Sequence, residues 1–199
     1  MPRLTFWYEF ASTYSYLAAA RIAPLADGAG VEVDWRPFLL GPIFGAQGWT
    51  TSPFNLYPAK GANMWRDMER QVAKYRLPPL IRPKEFPQNG LLAARIATLG
   101  AKAEWGPGFT RAVYDVQFAQ GLNIADMDVL VQLLSGLGQD GAGLITQAKT
   151  DQAVKDKLRA TNEEAVSLGL YGAPSFTTED GELFWGNDRL EDALAWASR

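Results

Sequence analysis

The first 38 residues change hydrophobic period twice, and this limits the fold more than any single motif does. Leu4 to Phe10 (LTFWYEF) reads as a strand with aromatics on both faces, so it is expected to be covered on both sides. Ser15 to about Asp27 reads as a helix. Pro24 lies inside that pattern and is expected to kink it or shift its last turn, while Gly28 and Gly30 supply the stop. Val31 to Phe38 (VEVDWRPF) alternates again, with Val31, Val33 and Trp35 on one face. A strand, a helix and a strand in so short a span form a βαβ unit, whose strands run parallel with a right-handed crossover.

Residues 39–62 (LLGPIFGAQGWTTSPFNLYPAKGA) show no clear period and read as a long loop, which its Trp and Phe content would hold in order. From about Asn63 to Gly169 the pattern is helical, with segments near 63–75, 90–100, 102–119, 126–136, 142–149 and 151–168. Pro- and Gly-rich stretches such as LPPLIRPKEFPQNG and LGQDGAG divide them. Strand character returns at Ser175 to Thr178 and Glu182 to Trp185, around an Asp180-Gly181 turn. A last helix is expected from Asp188, where Asp188-Arg-Leu-Glu191 has capping-box spacing, to Ser198. There is no internal repeat and no low-complexity segment.

The order β-α-β, about a hundred residues of helix, β-β-α implies a small α/β unit interrupted by an insertion. The expected fold class is therefore α/β, a thioredoxin-like domain (βαβ…ββα) carrying an inserted all-helical domain. Residues 1–40 with 170–199 would form the first domain, and 41–169 the inserted loop and helices.

Composition then limits the chemistry. A net charge of −3 gives no reason to expect nucleic acid or an anionic membrane as partner. No apolar run approaches the roughly 20 residues needed to span a bilayer. The N-terminus enters a strand at once, leaving no room for a signal peptide, so a soluble, cytoplasmic protein is expected. The chain has no Cys, which excludes thiolate nucleophiles and disulfide chemistry of its own. It also has no His, so the usual general base and the commonest zinc ligand are missing, and no metal site is expected. Catalysis must use hydroxyls, carboxylates, Lys, Arg, backbone amides or a borrowed group.

Three stretches carry a resemblance to a known family. They are Phe10-Ala-Ser12-Thr-Tyr14-Ser15-Tyr16-Leu17, Gly172-Ala173-Pro174-Ser175-Phe176, and Trp185-Gly186-Asn187-Asp188-Arg189-Leu190. In this order, with helices between, the chain resembles the DsbA family, and within it the 2-hydroxychromene-2-carboxylate isomerases and kappa-class glutathione transferases. VDWRPFLLGPIF, YPAK and MWRDMERQVAKY look like the isomerase branch. Ser12-x-x-Ser15 stands where thioredoxin-like oxidoreductases carry Cys-x-x-Cys, and Pro174 where that fold carries a cis-proline facing the active site.

The resemblance implies glutathione as cofactor. Ser12 would hold its sulfur by a hydrogen bond and favour the thiolate. The backbone of Ala173, before Pro174, would pair with the cysteinyl backbone of the tripeptide. Asn187 and Asp188 would meet its γ-glutamyl end, with Trp185 and Gly186 shaping that wall. A homodimer is implied too. Physical chemistry agrees about Ser12: the N–H groups and partial positive charge at a helix start lower the pKa of a nearby thiol, which ionises near 8.5 when free.

Simpler roles stand beside these. Ser12 is a preferred helix N-cap, and capping is compatible with binding. Ser15 is expected to bond backbone or solvent. Asp188 is equally suited to cap the final helix. Lys60, an ordinary surface lysine on its own, could receive the carboxylate of an aromatic acid, and Asn55 and Asn89 are weaker candidates for hydrogen bonds to substrate or glutathione. Trp49, Phe44, Phe54, Tyr57 and Trp65 form a core cluster of which part could line an apolar site above Ser12. Arg66 to Arg70 reads as a solvated helix face with i,i+4 pairs.

What the resemblance implies is a glutathione-dependent isomerase acting on an aromatic 2-oxo-acid or chromene carboxylate by reversible thiol addition. Two alternatives remain at this level. One is a kappa-class-like transferase that conjugates an electrophile; the other is a redox-inactive DsbA-like binding module.

Overall fold

The computed structural model describes residues 1–199. Strand β1 (Arg3–Tyr8) leads into α1 (Thr13–Ala29), and β2 (Glu32–Pro37) returns parallel to β1 with Phe6 opposite Trp35. Helix α1 runs through Pro24 and stops where Gly30 takes a left-handed conformation. Then come α2 (Leu40–Ala46), α3 (Pro53–Leu56), α4 (Pro58–Lys74), α5 (Leu91–Gly100) and α6 (Trp105–Phe118). Helices α7 (Met127–Gly136), α8 (Gly141–Thr150) and α9 (Gln152–Ser167) follow. The chain closes with β3 (Ser175–Thr178), β4 (Leu183–Trp185), a 3₁₀ turn at Asn187–Arg189 and α10 (Leu190–Ala197).

The four strands form one sheet in the order β2-β1-β3-β4, with β3 antiparallel to both its neighbours. This is the expected βαβ…ββα connectivity of a thioredoxin-like α/β fold, with the helices between β2 and β3. Phe6 and Tyr8 enter a core of 34 buried residues that also takes Leu17 and Ile22 from α1, Phe109 and Val113 from α6, and Leu190 from α10. Trp7 points to the opposite face, where Phe38, Ile43, Ala165 and Leu170 cover it and its indole N–H donates to Thr177 Oγ1 at 2.9 Å. The sheet is thus sandwiched, as the double-sided aromatics of β1 require. No helix is long and apolar enough to cross a membrane.

Two expectations need correction. Residues 39–62 are not a loop: α2, α3 and the first turn of α4 occupy most of it. Pro53 and Pro58 read as breakers but stand in first turns, where a missing N–H costs nothing, and the Ser52 hydroxyl accepts from Phe54 N at 3.3 Å. The final helix has no capping box. Residues 187–189 form a 3₁₀ turn, no side chain caps either element, and Glu191 pairs with Arg21 instead.

Candidate functional site

Beyond Tyr8 the chain leaves the sheet and makes a tight turn before α1. The Ser12 N–H donates to Glu9 O at 2.9 Å, and the Glu9 carboxylate accepts the Ala11 N–H at 3.2 Å. Tyr114 of α6 anchors the same turn, its phenol donating to Glu9 O at 2.9 Å. Ser12 is therefore held in extended geometry (φ −80°, ψ 116°) as the N-cap of α1. Its Oγ accepts Ser15 N at 3.1 Å and donates its own proton to Ala173 O at 2.9 Å. The N–H groups of Thr13 and Tyr14 have no acceptor within the protein, so the positive end of α1 opens beside that hydroxyl. Ser15 departs from expectation: its Oγ is buried, makes no well-aligned hydrogen bond to backbone, and lies beside the Tyr114 phenol. Only its backbone serves the cap.

The Ala173–Pro174 peptide is cis and faces Ser12. The Ala173 N–H has no partner in the protein, while Pro174 O accepts Gly186 N at 2.9 Å and ties this segment to the end of β4. Gly186 sits at φ 110°, a conformation that glycine reaches without strain, and a Cβ there would stand 2.5 Å from Asp188 Oδ1. Trp185 is half exposed, with its ring 5.0 Å from that of Tyr171.

Asn187 and Asp188, expected side by side at one ligand end, have opposite surroundings. Asn187 is buried: its Oδ1 accepts from Arg21 at 2.8 Å and its amide donates to the Tyr75 phenol at 3.4 Å. The Arg21 guanidinium lies 3.9 Å from the centre of the Tyr75 ring. Asn187 is thus a clamp between α1, α4 and the 3₁₀ turn. The Asp188 side chain is 76% exposed, 3.9 Å from Arg189, and free to meet a ligand amine.

The helical block brings α4 over the start of α1. Thr13 Oγ1 contacts Met64 Sδ at 3.3 Å, and the Tyr14 phenol donates to Asp67 Oδ2 at 3.0 Å. Burial pushes the Tyr14 phenol up and its Asp67 acceptor pushes it further, while Arg70 pulls the other way. Asp67 is thereby more than part of a solvated face, and the pairs in that run are i,i+3 rather than i,i+4: Arg66 with Glu69, and Arg70 with Asp67. Lys60 is exposed, its Nζ 5.7 Å from the Phe54 ring, which in turn lies 6.3 Å from Tyr14. Asn55 and Asn89 already have internal partners. Asn55 donates to Phe86 O at 2.8 Å, and Asn89 Oδ1 accepts Leu91 N at 3.0 Å at the start of α5. The expected aromatic cluster divides into separate pairs, Phe44 with Trp49 and Trp65 with Phe86, and leaves Tyr57 exposed. Only Phe54 reaches toward α1.

Sequence reasoning passed over Glu9, Arg21, Asp67 and Tyr75. Glu9 carried a signal: it is the one acidic residue in LTFWYEF. Burial raises its carboxyl to about 7, against a small opposing pull from the Ala11 N–H.

The sheet order, the helices between β2 and β3, and a helix-capping serine facing a cis-proline segment define a thioredoxin-like protein with a helical insertion. Comparison with known proteins places it more narrowly. The family described as DSBA-like thioredoxin domain matches residues 3–195, and the chain belongs to that family. It is 29% identical over 189 residues to a 2-hydroxychromene-2-carboxylate isomerase of Sphingobium xenophagum, covering 94% of each chain. It is 26% identical over 203 residues to glutathione S-transferase kappa 1 of Caenorhabditis elegans, covering 96% of this chain and 88% of that one. A solved 2-hydroxychromene-2-carboxylate isomerase superposes with a TM-score of 0.85 at 22% identity, over 98% of this chain and 95% of its own. The relatives are enzymes acting as isomerase or transferase.

Proposed function

We propose that the chain is a glutathione-dependent isomerase of an aromatic 2-oxo-acid or chromene carboxylate. The observation that carries this reading is the Ser12 hydroxyl, 2.9 Å from Ala173 O at the open end of α1. A serine cannot be oxidised, so this position suits a thiol that arrives with a cofactor. On binding, the hydroxyl turns from Ala173 O to the sulfur, and the released carbonyl and unpartnered N–H of Ala173 pair with the cysteinyl backbone. Asp188 takes the γ-glutamyl ammonium. Trp185 and Gly186 form the adjoining wall, and Asn187 supports it from behind.

Glutathione bound there would supply a thiolate for reversible addition to the conjugated carbon of the ring-opened substrate, which would turn one hard rotation about a double bond into two easier steps, with Ser12 holding and orienting the sulfur. Lys60 is the cation we assign to the substrate carboxylate. Asn55 and Asn89, with their internal bonds, shape the loops around it. We carry with this reading a cytoplasmic homodimer, which light scattering at twice the chain mass would support and at the chain mass would refute. The kinship with a kappa transferase favours a second reading on the same cofactor site, in which the thioether is released rather than broken.

One assay separates the readings. Interconversion of 2-hydroxychromene-2-carboxylate and its ring-opened benzylidenepyruvate form is expected to accelerate only when reduced glutathione is present. A rate independent of glutathione removes the isomerase reading, and accumulation of a stable conjugate selects the transferase.

A further inference from the structure

A thiol that becomes a nucleophile must leave its proton somewhere, and this chain has neither His nor Cys to receive it. The turn that presents Ser12 contains a carboxylate in an unusual setting. Glu9 lies three residues before Ser12, and its side chain folds back onto the turn, where the Ala11 N–H is its sole hydrogen-bond donor. No Lys or Arg pairs with it, and no charged side chain of α5 or α6 lies close enough to shift it. The titratable neighbour is Tyr114 of α6, which donates to the Glu9 backbone oxygen and whose phenol is pushed well up by burial and by Glu9 itself. On the other side the chain passes at Gly90, where a Cβ would stand 3.0 Å from Phe10 Cβ and 3.4 Å from Glu9 Oε1. This close approach of the two segments is one that a residue without a side chain allows.

We propose that Glu9 is the proton acceptor for the thiol bound at Ser12, directly or through one water. This rests on the glutathione reading and names the group that completes it. The thiol S–H proton passes to the Glu9 carboxylate. The sulfur lone pair then bonds to the conjugated carbon, and the double-bond pair moves to the carbonyl oxygen. After rotation the pair returns, the S–C bond breaks, and the thiolate recovers its proton from Glu9. Nothing is consumed.

The site thereby keeps one negative charge, on Glu9 or on sulfur, where two would repel in a poorly solvated pocket. Burial alone holds the empty protein's carboxyl at about 7, close to the working pH of a proton shuttle. A carboxylate with a lower pKa would return the proton too readily.

The test is the ultraviolet thiolate absorbance of the glutathione complex, titrated with pH in wild type, Glu9→Gln and Glu9→Asp, beside turnover at pH 7. Removing the carboxylate removes the repulsion, so Glu9→Gln is expected to shift the thiolate midpoint down by about one unit. Turnover should nevertheless fall about a hundredfold or more, the usual loss when a positioned proton acceptor is removed. Glu9→Asp should restore part of both. A neighbouring carboxylate that takes no proton would lower the midpoint on removal and leave turnover unchanged or raised, so an unmoved midpoint, or a lowered midpoint with no loss of turnover, overturns the assignment. Failure of the wild type to bind glutathione in calorimetry overturns the cofactor reading and Glu9's role with it. Binding with an unmoved midpoint overturns only Glu9.

Discussion

At the residue scale, Ser12 carries two structural bonds before any ligand arrives. It caps α1 through Ser15 N and links the α1 turn to the cis-proline segment through Ala173 O. Ser12→Ala is expected to cost about 1 kcal/mol for the cap, which in a chain of this size lowers Tm by about 2–4 °C. Turnover should fall far more than stability, whereas Ser12→Thr should keep the cap and much of the rate. Calorimetry and the isomerase assay check both, and an alanine variant with full turnover would remove Ser12 from the chemistry. The sequence marks Ser12 by type and place. It cannot show that the hydroxyl's proton already has an acceptor 161 residues away. Glu9 was harder still, because its importance lies in the partners it lacks. The surroundings of this turn residue depend on Gly90 and Tyr114, which come from segments far along the chain.

At the scale of elements, the start of α1 has its local cap in Ser12, whereas the 3₁₀ turn and the start of α10 have no side-chain cap and are held by a clamp. Arg21 of α1 stacks on Tyr75 beyond α4 and bonds Asn187 in the 3₁₀ turn, so one side chain sets where Asp188 can stand. Arg21→Ala should free that turn and weaken glutathione about tenfold, equivalent to roughly 1.4 kcal/mol, with kcat at saturating glutathione little changed. Titration calorimetry beside kinetics reads this split, and an equal loss in kcat would place Arg21 in the chemistry instead. This arrangement explains one misreading. Asn187-Asp188 looks like a pair of ligands and a cap in sequence, yet the buried amide is held by Arg21 and the carboxylate caps nothing. Strands and long helices were legible because their periods are strong, as in the alternation of VEVDWRPF around β2. The short helices α2 and α3 were not, since Gly41, Gly45, Pro42 and Pro53 read equally well as loop.

At the scale of the molecule, connectivity was the most legible property. Strand–helix–strand, helices, and hairpin–helix survive errors of several residues at each boundary, because topology depends on order and not on length. The insertion's role was less so. Phe10 and Tyr16 pack in edge-on and tilted ring contacts against Phe109, Tyr114 and Phe118 of α6, so the site turn leans on the helices between β2 and β3. Contacts of that kind follow from packing and leave no periodic trace. The central claim is that this combined scaffold presents Ser12 to a thiol it does not own. A crystal structure of the protein with reduced glutathione tests it most directly. The sulfur should lie within hydrogen-bond distance of Ser12 Oγ, with Ala173 paired to the cysteinyl backbone. A sulfur directed elsewhere, with the Ser12–Ala173 bond intact, would contradict it.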